Sequence, residues 1–315
     1  MLLILSKIAV VFSLAGIGFA ANKIGILPIE SNNYLIPLLL DIATPCLLVT
    51  AIAGRKLTPE TYSVTVIAIV GSFIFFAAGM AVSYLLVRLI RVPMQDRGIY
   101  MSIITMVNNG FMGFPVTKAA FGDDGLYLMV LCNIVLCIWT YTAGFLQVNI
   151  GSSDAALKMS RKRLMAMVNP CSVASVAGIV LLFAQIKLPE FLFSLLDTTG
   201  QISIPLSMIV VGIQLGESRF RQIASNSKLV ETTIIKLVLV PALTLLAVYW
   251  LPIPQIAKAV LVLSASFPSA VNMVAVAAIE KKNATLASEG VAMTTAFSMI
   301  SLPVIIIGLS AMFQV

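Results

Sequence analysis

The chain reads as an all-α membrane protein of ten transmembrane helices arranged as two inverted five-helix repeats. Three observations predict this: an extreme apolar composition, apolar runs of helix length, and matching interruptions in corresponding runs of the two halves. Of the 315 residues, 60% are hydrophobic and 10% charged, and the mean hydropathy is +1.05. Soluble domains carry roughly 45–50% apolar and about 25% charged residues. A water-soluble fold would leave much of this apolar surface exposed. The chain has no His, which removes imidazole acid–base chemistry and His-ligated metal sites. Cys46, Cys132, Cys137 and Cys171 lie in apolar stretches without metal-site spacing and read as small buried hydrophobes. No metal or cofactor is expected. The net charge of +7 raises nucleic acid as a partner, but the basic residues fall in short loops between apolar runs and read as topology signals.

A membrane helix needs about 20 apolar residues. Runs between charge and turn clusters give spans at approximately 3–21, 33–53, 62–89, 98–120, 125–148, 170–185, 190–215, 230–251, 255–279 and 284–312. The first lacks the basic leader of a secretory signal, since only Lys7 is charged there, and is read as a membrane helix. The runs are continuous and longer than the alternating ten-residue segments of a membrane barrel, so helices are expected. Loops after odd-numbered spans hold 13 Lys and Arg residues, while the start and the even-numbered loops hold 6. That excess places the odd loops in the cytoplasm and both termini outside a cytoplasmic membrane. The Arg161-Lys162-Arg163 cluster is read as part of this topology signal, in contact with anionic lipid. It lies in the longest connector, a basic loop over 149–169, which separates a first repeat at 1–148 from a second at 170–315.

The halves share punctuation. Span two carries Ile42-Ala43-Thr44-Pro45, and span seven carries Ile202-Ser203-Ile204-Pro205. Span four is interrupted at Asn108-Asn109-Gly110-Phe111-Met112-Gly113-Phe114-Pro115, and span nine at Ser266-Phe267-Pro268-Ser269-Ala270-Val271-Asn272. Five spans per half is an odd number, so the halves enter the membrane with opposite orientation, which is the pattern of a secondary transporter. Proline lacks an N–H and clashes with the preceding turn, and glycine weakens a helix. Broken backbone at membrane depth survives only where protein or a wet cavity satisfies it. The exposed N–H ends carry about half a positive charge each and suit anions. Asn108, Asn109, Gly110, Pro115, Pro268, Ser269 and Asn272 are therefore the candidate binding residues for a small carboxylate near the midplane.

On these residues the chain resembles the auxin efflux carrier family, which includes the plant PIN-FORMED proteins and bacterial organic-acid carriers. The Asn108–Pro115 stretch is the most specific piece, and Ile235-Lys236-Leu237-Val238-Leu239-Val240-Pro241 in span eight is also similar. The resemblance implies the fold of the bile acid sodium symporters. Spans one, two, six and seven would form a scaffold that dimerises through helices 2 and 7. Spans three to five and eight to ten would form a transport domain moving in an elevator fashion. Pro115 and Pro268 would mark the crossing of helices four and nine. The connector of about 20 residues is much shorter than in many plant members, so regulation through that loop is not implied.

Three further ionisable residues have open roles. Asp41, four residues before Pro45, is either a coupling site or a scaffold hydrogen-bond partner. Lys236 either snorkels to the cytoplasmic surface or serves as a counter-charge. Glu289 is either an end-of-helix carboxylate or a proton acceptor. Asn133 and Gln214 are expected to line the path or bond between helices, and Met101, Met106 and Met112 to pack. The combined expectation is a secondary carrier for a small organic anion, auxin-like or a dicarboxylate, working by alternating access and favouring efflux. The driving force is the membrane potential, a proton gradient or sodium, with the first two preferred; exporting one negative charge gains about 2.3 kcal/mol per 100 mV, enough to bias export without a coupled ion. A sodium-coupled symporter of the bile acid type and a non-transporting ligand sensor are the alternatives. No GxxxxGK[ST], GxSxG or HExxH motif suggests an ATPase or an intramembrane enzyme.

Overall fold

A computed structural model describes residues 2–151, 167–218 and 223–314. Arg161-Lys162-Arg163, with Lys158, Arg219 and Arg221, lies outside the described residues. Among the described residues the chain is helical, apart from turns and one isolated antiparallel bridge between Val107 and Ser269. In chain order the helices are α1 (Leu2–Lys23), α2 (Ile29–Ala53), α3 (Pro59–Leu89), α4 (Arg97–Thr105), α5 (Asn109–Val148), α6 (Pro170–Ala184), α7 (Glu190–Glu217), α8 (Ser227–Tyr249), α9 (Gln255–Ser266), α10 (Asn272–Ile279) and α11 (Ala284–Phe313). Seven of them, α1, α2, α3, α5, α7, α8 and α11, are long and apolar enough to cross a membrane. Helices α6 and α9 are shorter apolar helices. Helix α5 turns at Gly122, where φ of 65° and ψ of −155° suit glycine, in the gap left between spans four and five.

Prolines explain the local geometry. A proline cannot donate to the carbonyl four residues before it. At Pro45, Pro115 and Pro241 the preceding backbone widens into a π turn, over Leu38–Ala43, Asn109–Gly113 and Ile235–Leu239 respectively. Widening lets nearby carbonyls find donors one residue farther on, and such bulges recur at functional sites. Helix starts are capped by side chains as the sequence pattern demands. Thr58 Oγ1, Asn169 Oδ1, Asn226 Oδ1 and Asn283 Oδ1 each accept from the backbone N–H three residues on.

Small residues set the tightest packing. A Cβ on Gly18 would lie 2.2 Å from the carbonyl oxygen of Ile209, and one on Gly212 would lie 2.1 Å from that of Ala15, so α1 and α7 pack backbone to backbone. Helix α2 packs on α6 and on the first half of α7. A second group forms around α4, α5, α9 and α11, with α3 and α8 against it. At one end of the molecule the Arg55 side chain, just past α2, pairs with Asp124 at the Gly122 turn. Its guanidinium lies 5.2 Å from the centre of the Tyr127 ring, and Tyr127 shares a 2.6 Å hydrogen bond with Thr65.

Candidate functional site

The two interruptions meet. Helix α4 stops at Thr105, and Met106 and Val107 continue as extended backbone. Helix α9 stops at Ser266, and Phe267 turns extended ahead of Pro268. The two short segments lie antiparallel and satisfy each other. The N–H of Asn108 donates to the carbonyl of Pro268 at 2.8 Å, and the N–H of Ala270 donates to the carbonyl of Met106 at 3.2 Å. Reciprocal pairing of this kind answers the demand that buried backbone groups find partners. Side chains complete it. Ser269 Oγ donates to the carbonyl of Ile103 at 2.7 Å, and the Ser269 N–H donates to Thr294 Oγ1 at 3.1 Å. Asn108 Oδ1 accepts from the N–H of Phe111 at 3.1 Å and caps the start of α5.

The crossing point differs from the expectation in one respect. Pro268 lies at it, whereas Pro115 lies seven residues beyond Asn108, buried in the first turn after a π turn. The physical reason is that the first interruption needs no proline: Asn108 turns the chain by capping the next helix with its own side chain.

A cavity of about 220 Å³ opens beside the crossing. The N-terminal ends of two helices reach it, α5 through Asn108, Gly110 and Phe111, and α10 through Ala270, Val271 and Asn272. The facing walls carry Asp41 and Thr44 of α2, Asn133 and Tyr141 of α5, and Asn169 with Cys171 at the start of α6. Asn108 is 3% exposed, and its Nδ2 has no hydrogen-bond partner among the described residues; the buried Oδ1 of Asn272 has none either. Both atoms are buried: Nδ2 of Asn108 is a donor and Oδ1 of Asn272 an acceptor, and neither is open to the cavity in this arrangement. Asp41 is exposed to this space and makes no hydrogen bond or ion pair among the described residues.

Of the sequence candidates, Asn108, Gly110, Asn272 and Asp41 come together on the cavity, as does Asn133. Asn109, Pro115, Pro268 and Ser269 do not line it. Asn109 is fully buried, and its Oδ1 accepts from Ser264 Oγ at 3.1 Å, tying α5 to α9. Lys236 neither reaches the surface nor reaches the cavity. It is fully buried, and its Nζ donates to the carbonyl of Ala265 at 3.4 Å, at the C-terminal end of α9. Glu289, half-exposed near the start of α11, stands apart from the cavity. Sequence reasoning passed over Thr44, Tyr141 and Asn169. Asn169 carried a signal, since Asn before Pro marks a helix start, but nothing in the sequence placed that start beside the crossing. Among the described residues no group of three acidic or Cys side chains could hold a metal ion.

Comparison with known proteins agrees with a transport role. The family described as membrane transport protein matches residues 3–306. An uncharacterized transporter of Methanothermobacter thermautotrophicus is 26% identical over 289 residues, covering 91% of this chain and 92% of the relative. An uncharacterized transporter of Methanocaldococcus jannaschii is 21% identical over 301 residues, covering 93% and 94%. The family is one of transporters rather than enzymes, and the apolar helices make the chain a multi-pass membrane protein. The chain belongs to the membrane transport protein family, that of the auxin efflux carriers.

Proposed function

We propose that this protein is a secondary transporter that carries a small organic acid across the cytoplasmic membrane by alternating access. The observation that carries the reading is the convergence of two helix N-termini, at Asn108 and at Asn272, on one small cavity at the crossing. Helix N-termini favour negative charge, and amide N–H groups hydrogen-bond a carboxylate. Ten spans in two inverted repeats account for the paired interruptions. The two packing groups suit a scaffold of α1, α2, α6 and α7, against which the crossing moves as an elevator.

The cavity reaches the start of α6, which follows the basic connector and so lies toward the cytoplasm by the positive-inside rule. At the opposite end of α2, Arg55 ties the scaffold side to the Gly122 turn through Asp124 and Tyr127. Together these fit an inward-facing arrangement closed on the outside. For a solute of net negative charge, the inside-negative potential favours efflux. Exposed apolar residues on α2 and the first half of α7, among them Ile42 and Leu195, suit a homodimer contact in the membrane.

The test is a screen of small carboxylic acids by thermal shift on purified protein, followed by flux in liposomes with and without sodium. Saturable binding that weakens at least tenfold in both Asn108→Ala and Asn272→Ala, together with flux, supports the proposal. Binding without flux converts the protein to a sensor, and flux that requires sodium converts it to a sodium symporter. Unaltered affinity in both variants removes the site.

A further inference from the structure

The cavity has two chemically different walls. One is built from helix N-termini and amides, which attract a negative group. The other holds Asp41, which among the described lining residues is the only formally charged side chain. No described Lys or Arg lines the space: Lys236 is committed to the Ala265 carbonyl, and Arg55 to Asp124 outside the cavity. A bare carboxylate held at the starts of α5 and α10 would therefore share a small cavity with a second carboxylate, and like charges repel. Nothing in the site offsets that repulsion, so the ligand must.

Resting on the carboxylate reading above, we propose that the cavity receives an amino acid-like zwitterion. Its carboxylate lies against Asn108 and Asn272, and its ammonium against Asp41. Two features besides the acidic group point the same way. The helix starts at Asn108 and Asn272 favour a carboxylate, and Thr44, three residues from Asp41 on the same helix, adds a hydroxyl acceptor for a second ammonium hydrogen. The volume of about 220 Å³ limits the ligand to a small molecule. The apolar lining of Leu40, Phe111, Phe114 and Leu136 suits an aliphatic or aromatic side chain over a polar one. On the scaffold side, Asp41 would bind only when the crossing presents its amides opposite it, so a solute with both charges bridges the two packing groups. Charge is then read as a pair, and dicarboxylates are rejected.

The experiment measures affinity at pH 7, in sodium-free buffer, for pairs of acids that differ only at the α-substituent. The probes are leucine against 2-hydroxy-4-methylpentanoate, and phenylalanine against 3-phenyllactate. The wild-type protein is expected to bind the amino member of at least one pair tenfold or more tightly than its hydroxy partner. Asp41→Asn should erase that preference while leaving the melting temperature of the ligand-free protein unchanged, and Asp41→Glu should restore part of it. Asn108→Ala should weaken both members alike. Equal or tighter binding of the hydroxy acids, still lost in Asn108→Ala, overturns the ammonium subsite and leaves the carboxylate carrier standing. Hydroxy-acid binding that appears only when sodium is added places a metal cation at Asp41 and also overturns the proposal. No binding of any of the four acids overturns the zwitterion proposal, whereas the carboxylate carrier falls only if the wider acid screen also finds no ligand.

Discussion

At the first crossing point the chain turns without a proline, using Asn108 to cap the helix that follows; at the second it turns through Pro268, with Ser269 bonded on both its N–H and its hydroxyl. Both points exchange one backbone hydrogen bond with the other, so as backbone they are equivalent. As side-chain chemistry they are not. The first turns on the side chain of Asn108, whose Nδ2 is buried without a partner among the described residues, whereas the N–H and the hydroxyl of Ser269 are both bonded within the protein. The second half contributes to the cavity only three residues later, through Asn272. The difference teaches that two interruptions with the same backbone pairing can differ in side-chain chemistry. On the proposed function, the first would contribute to the solute site at the crossing itself, and the second three residues later.

The most drastic way to break the comparison is to remove the shared backbone donors. Asn108→Pro and Ala270→Pro each delete one of the two reciprocal N–H groups, and an unsatisfied backbone group within a membrane costs several kcal/mol. Both variants should lose the monodisperse species in detergent, as read by size-exclusion chromatography. Survival of one alone would show that the pairing is not reciprocal. A sharper contrast comes from side-chain deletions. Asn108→Ala should weaken acid binding by tenfold or more, which is about 1.4 kcal/mol, and lose about 1 kcal/mol of stability with the cap. Ser269→Ala should leave affinity unchanged and cost about 1–3 kcal/mol of stability, because the Ile103 carbonyl loses its buried donor. Titration of ligand and thermal melting on the same samples separate the two.

Smaller effects are expected one step from the crossing. Asn272→Ala should weaken binding severalfold. Asn109→Ala should leave it within about twofold and lose only the Ser264 bond, on the order of 0.6 kcal/mol for a polar contact between membrane helices. Pro115→Ala should have the smallest effect on affinity, none, although Pro115 is buried and its loss should cost on the order of 1 kcal/mol of stability. A large loss of binding in Pro115→Ala would return the site to the position that proline spacing alone suggests.

Much of the fold was legible because apolar runs and capping residues are local signals. The bounds read for the helices now seen as Pro170–Ala184, Pro59–Leu89 and Ala284–Phe313 differ from the described ones by only a few residues. Interruptions in two spans were legible from Asn, Gly and Pro content, and their meeting was implied by the resemblance to the auxin efflux carriers. The exact crossing residue in the first half was not, because proline has two outcomes. It can end a helix, as near Pro268, or it can be absorbed by a π turn, as at Pro115 and Pro241. The placement of Asp41 opposite the amides, and of Lys236 away from them, depends on how separate helices pack, and no periodicity within one helix encodes that. Lys236 illustrates the limit well. Its charge was visible in the sequence, but its partner is a main-chain carbonyl, which has no signature in residue type.

The exchanged backbone bonds have a consequence for how the protein is made. While the first half sits in the bilayer and the second is still being translated, the N–H of Asn108 and the carbonyl of Met106 have no companion, because Pro268 and Ala270 do not yet exist as chain. The nascent first half is therefore an unfinished product at its centre, however well its ends are anchored. Its completion awaits arrival of α9 and the segment after it, and a chain cut short before then offers polar backbone to lipid, a mark by which damaged copies differ from whole ones.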